Sequence, residues 1–257
     1  MPLNPKTSGM NAPDYLVESI PNVLHGPLVK PPRAWPALIF PLLLSLAAGT
    51  LCYIAAGVSL GLFLGGLILI PLLKAPLVAA ETTWLSRALA AFGISHGVAG
   101  VWLFAILKAD LDLNLFAASY LTLITLVFAI AGFTVMLQRF GFGPLAAGAI
   151  ATTLTLAWLT WPLWLSPALL GQKGDAIVAW LIPAHPIFAA NGALRIPLGY
   201  WAEQAIAYNL TNLGDDIAYS VPNSILYCVL LNIATGGACV TIACIRRNPK
   251  RNPEARR

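Results

Sequence analysis

A histidine inside an otherwise apolar run is the most chemically loaded residue of this chain. His96 follows Ser95 and lies between Gly93 and Gly97. An ionisable side chain in mid-membrane is costly unless paired, which makes it a candidate site by default. An imidazole there could relay a proton or ligate a metal. The plainer alternative is a neutral ring hydrogen-bonded to a neighbouring helix. Asn232 and Thr235, beside Gly236-Gly237, fall at matching depth in a later apolar run. They could reach His96 across a packed interface, or serve as interhelical glue of about 0.6–2 kcal/mol per bond.

A second group of varied polar chemistry begins at Pro183-Ala184-His185-Pro186 and continues through Asn191, Arg195, Glu203, Asp215 and Asp216. It could line a substrate mouth or bind a partner; otherwise it is a rigid cap with solvated charges. Asp215-Asp216 after Gly214 is a weak cation signal, because two adjacent carboxylates fall short of a full oxygen shell. The four cysteines, Cys52, Cys228, Cys239 and Cys244, form no CxxC or Cys/His ligand spacing. Cys52 and Cys228 match in depth, so they are either a disulfide or two buried free thiols. Cys244, beside Arg246-Arg247, stands where acylation occurs in some cells. Asn209-Leu210-Thr211 is a glycosylation sequon. There is no G-x-x-x-x-G-K-[ST], no G-x-S-x-G and no H-E-x-x-H. No catalytic residue, cofactor or metal is assigned.

These side chains must be carried by membrane helices. The 257 residues are 58% hydrophobic and 10% charged, against about 25% charged in soluble domains. Ala34 to Leu73 contains no Asp, Glu, Lys, Arg or His. Its forty residues are twice the roughly 20 that one crossing needs, so it is read as two spans reversing at Gly57-Val58-Ser59. The expected fold is all-α and polytopic, with six transmembrane helices at about 36–56, 59–79, 87–107, 115–137, 145–166 and 223–245. Gly61-x-x-x-Gly65 should let backbones approach closely, Pro71 should kink its helix, and Lys74 should snorkel to the headgroups. Between helices 5 and 6, residues 167–222 are too long for a plain loop. Ala176–Leu194, broken by Pro183 and Pro186, reads as a re-entrant or interfacial helix pair.

Residues 1–33 read as a proline-broken tail without an apolar signal-peptide core, so the first span is the expected insertion signal. Tyr15–Ile20 could form a short surface-lying turn. Residues 34–245 form the membrane domain, and 246–257 a basic tail. Six spans place both termini on one side together with twelve of the fifteen Lys and Arg residues. Lys108, Lys173 and Arg195 fall on the other. That bias sets both termini in the cytoplasm of a cell (inner or plasma) membrane, with 167–222 exoplasmic.

In outline, six spans, cytoplasmic termini and a structured exoplasmic piece before the last span resemble the membrane subunit of an ABC-2-type exporter. Leu73-Lys74-Ala75-Pro76-Leu77 resembles bacterial Yip1-like membrane proteins over five residues. Neither resemblance carries a functional residue over. The expected function is a non-enzymatic permease-type or scaffold subunit of a membrane complex. Its partners would be the lipid bilayer, other membrane subunits or a cytoplasmic ATPase docking at Glu81–Arg87 or Gln138–Pro144, and not nucleic acid. The alternative is a membrane-embedded enzyme using His96 or His185 with the exoplasmic carboxylates.

Overall fold

A computed structural model describes residues 34–165, 174–198 and 222–246. These are all-α, in nine helices: α1 (Ala34–Ala56), α2 (Leu60–Ala80), α3 (Trp84–Lys108), α4 (Leu113–Arg139), α5 (Pro144–Leu159), α6 (Trp161–Trp164), α7 (Gly174–Ala184), α8 (Pro186–Leu198) and α9 (Leu226–Ile245). Five of them (α1, α2, α3, α4 and α9) are long and apolar enough to cross a membrane. The α7–α8 pair adds a sixth if it is one span. The protein is thus a multi-pass helical membrane protein.

Local chemistry sets the helix ends. The charge-free run reverses at Gly57, whose φ of 61° is the left-handed conformation that glycine takes without a Cβ clash. Thr83 and Ser86 open α3 with a capping box: Ser86 N–H donates to Thr83 Oγ1 at 3.0 Å and Thr83 N–H to Ser86 Oγ at 3.3 Å. Asp112 caps α4, accepting from Asn114 N–H at 2.9 Å. That backbone bond, followed by one from the Asn114 side chain, holds the Asp112 carboxyl below its usual range.

Packing fixes the helix directions. Gly93 of α3 meets Leu38 and Leu42 of α1, and Gly97 meets Ser45, so α1 and α3 run parallel. Gly132 of α4 abuts Gly236 of α9, and Val135 packs with Ala243, so these two are also parallel. Pro76 faces Gly148 and Pro71 faces Thr152, which makes α2 and α5 antiparallel. At one end of the bundle Gln138 Nε2 donates to Ala79 O at 2.7 Å, and the Arg246 guanidinium lies 4.0 Å above the Phe140 ring. At the other end Lys108 Nζ sits 5.6 Å from the Tyr53 ring.

Two elements differ from expectation. The span expected at 145–166 stops at Leu159 and resumes as the short α6. Pro162 has no N–H to return to Trp158 O four residues back, which breaks the helical ladder there. The sixteen residues of α5 rise about 24 Å, less than a hydrocarbon core of about 30 Å. The close backbone approaches lie at Gly93 and Gly97 rather than at Gly61 and Gly65. A Cβ on Gly93 would stand 2.6 Å from Leu38 O, whereas at Gly61 and Gly65 the nearest atoms are at 3.4 and 3.6 Å. The pair expected at 176–194 is present as α7 and α8, meeting at 74°.

Candidate functional site

His96 lies midway along α3, stacked on Phe92 with ring centroids 3.6 Å apart. Its Nδ1 is 2.8 Å from Phe92 O and its Nε2 is 3.0 Å from Tyr120 Oη on α4. A carbonyl only accepts, so Nδ1 carries the proton and Nε2 receives the tyrosine hydroxyl. Both ring nitrogens are engaged, one within the helix and one across the α3–α4 interface.

Asn232 does not join it. Its Nδ2 donates to Cys228 Sγ at 3.5 Å, one turn back on α9. Asn232 and the exposed Thr235 instead border a cavity of about 250 Å³ between α4, α5 and α9, alongside Ala129 and Ile130. Those α4 residues stand nine and ten positions beyond Tyr120, about 14 Å along the helix. The four described cysteines are all free, and Cys52 and Cys228 do not pair.

His185 occupies the bend between α7 and α8. It is buried among the rings of Trp158, Trp161 and Phe188, at 5.5, 6.1 and 5.1 Å between centroids. Its Nε2 is 3.1 Å from Trp158 O, the carbonyl that Pro162 leaves without a helical donor. The imidazole therefore completes a backbone break, while Nδ1 has no hydrogen-bond partner. Asn191, on α8, is fully buried, and neither Oδ1 nor Nδ2 has a hydrogen-bond partner among the described residues. The backbone of Arg195 lies on α8; its side chain, like Glu203, Asp215, Asp216, the sequon and Tyr15–Ile20, lies outside the described residues. Among the described residues no three His, Cys, Asp or Glu side chains come together as a metal site.

The residue that sequence reasoning placed wrongly is Lys74. It does not snorkel. It is fully buried, and among the described residues its Nζ has no hydrogen-bond partner. The helix continues six residues past it to Ala80, about 9 Å. It shares a face with Leu67, Ile70 and Val78, all of them buried. Two prolines, Pro71 and Pro76, flank it inside α2. Each removes one ladder donor; Thr152 Oγ1 comes across from α5 to Pro71 O at 3.3 Å. The helix of Lys74 packs directly on that of Asn191, and both pack on α4. A run of apolar residues on every side of α2 hid this, since only a polar stripe would have marked an inner face.

Comparison of the chain with protein-family models, curated proteins and solved structures finds no match, so the site stands on its own geometry.

Proposed function

We propose that the chain is a permease-type, non-enzymatic subunit of a membrane complex, and that Lys74 lies on the route or binding site it provides. The observation that carries this is the buried, unpartnered Nζ. An amine buried without a partner costs about 1–3 kcal/mol, and more when charged, so a subunit that only held helices together would be better served by Met or Leu. Helices interrupted by proline or bent at mid-course are the usual frame of intramembrane sites. Here α2 has Pro71 and Pro76, and α7–α8 bends by 74°.

The proposed setting is a cell membrane with both ends of the chain cytoplasmic. The parallel runs of α1 with α3 and of α4 with α9 support that reading, as does the basic bias of the sequence. The Gln138–Ala79 bond ties the start of the Gln138–Pro144 turn to the end of α2, two residues before Glu81–Arg87. A cytoplasmic ATPase or another subunit would meet them as one surface. For the scaffold alternative, α1 and α9 present exposed apolar faces, Ile39, Phe40 and Leu43 on one and Leu226, Leu230 and Ile233 on the other. The enzyme alternative has less support: His96 is taken up by Phe92 and Tyr120, and His185 by Trp158.

Thiol labelling tests the proposal. In a background with the four native cysteines replaced by alanine, Lys74→Cys should react in intact cells with a membrane-impermeant methanethiosulfonate. Leu72→Cys, nearly level with it on the exposed side of α2, should not. A Lys74→Cys protein that stays unlabelled in both resting and energised cells would contradict a permease.

A further inference from the structure

We propose that the groove between α3, α4 and α9 binds an anionic phospholipid, an acyl chain lying along it and the phosphate held by Arg87. The groove encloses about 310 Å³, within the usual range of small-molecule pockets. Among the described residues Arg87 is the one charged side chain on its wall. On α4 that wall runs from Ile124 to Val135, about 16 Å, close to one leaflet of a hydrocarbon core about 30 Å thick. Trp84, half exposed at the start of α3, marks the interfacial end, where tryptophan is favoured.

Charge selects the headgroup. Arg87 Nε donates to Glu81 O at 2.9 Å, which orients the guanidinium and leaves both Nη groups without a partner among the described residues. Among the described residues at this end of the bundle, Arg87, Arg139 and Arg246 are opposed by Glu81 alone, and Arg246 stacks on Phe140, next in sequence to Arg139. The mouth of the groove thus has a surplus of positive charge and a free planar fork. A phosphodiester presents two oxygens to such a fork, and an anionic lipid brings no choline cation into the same field. The inference needs only the multi-pass fold and does not depend on the permease reading.

Native mass spectrometry of the full chain in detergent tests it, with phosphatidylglycerol, phosphatidylcholine and inorganic phosphate as probes. Both lipids offer the phosphodiester, and only phosphatidylcholine brings a cation into the basic mouth, so phosphatidylglycerol should be retained about tenfold over phosphatidylcholine, the order of one like-charge contact near a protein surface. Excess inorganic phosphate should leave it bound. Arg87→Gln should abolish the preference, and Ala88→Trp, at an exposed position on the groove wall, should displace both lipids. Equal retention of the two lipids would overturn the inference. So would a preference that survives Arg87→Gln, displacement by inorganic phosphate, or full retention in Ala88→Trp protein with unchanged helical content.

Discussion

The seam between α1 and α3 and the core around α2, α4 and α8 are both tightly packed, but they treat polar groups in opposite ways. At the seam Ser45 Oγ donates to Leu42 O at 3.0 Å and to Gly93 O at 3.3 Å, and Gly93 and Gly97 let the two backbones touch. In the core Lys74 Nζ, Ser119 Oγ and both amide atoms of Asn191 are buried without a hydrogen-bond partner among the described residues. Buried polar groups are normally satisfied. A region that satisfies them is built for adhesion; a region that leaves several open is the one that the proposed permease role would use. The same split appears in burial: α1 is largely exposed and needs the glycine seam to hold it, whereas α2 has most of its span inside.

The largest effect should come from closing the seam's close approach. A Cβ on Gly97 would overlap Ser45 Oγ and stand 2.6 Å from Leu42 O. Gly97→Val should therefore cost at least the upper part of the ~1–3 kcal/mol typical of overpacking, read as unfolding in rising SDS by circular dichroism. Gly100, on the same helix, has nothing within 4 Å, and Gly100→Val should be close to neutral. Equal losses at the two positions would break the comparison.

A smaller effect is expected where a polar pair is complete. Tyr120→Phe removes the hydroxyl from His96 Nε2 and should cost about 0.6 kcal/mol, the mean for interhelical hydrogen bonds in membranes. A loss several times larger in the same assay would give His96 a role beyond adhesion and blur the contrast with Lys74.

The first four spans, the last one and the turns between the first four were legible because they follow from local chemistry. A charge-free run long enough for two crossings, a glycine at its midpoint, and polar breaks around Thr83 and Asp112 each act on neighbouring residues. Rotation and lateral neighbours were not legible. Depth alone put His96 level with Asn232, but α4 lies between them and offers Tyr120 to one and Ala129 and Ile130 to the other. Lys74 was read as snorkelling from near the end of its span, because a cation at that depth usually does. It is buried instead, and the uniformly apolar sequence around it gave no sign of which way the lysine points. The break at Thr160 was missed because Pro162 inside the apolar run was passed over, and nothing local showed that His185, more than twenty residues away, would take the carbonyl it frees.

Lys74 is buried without a structural partner, and the stability of Lys74→Met tests that most directly. Met keeps the length of the stem and removes the amine. The purified protein should become more stable by about 1–3 kcal/mol, the cost of an unsatisfied buried polar group, and its unfolding midpoint should rise by about 2–4 °C per kcal/mol. A drop in the midpoint corresponding to about 3–5 kcal/mol, as when a buried ion pair is broken, would show that Lys74 is held by a partner and would contradict the account.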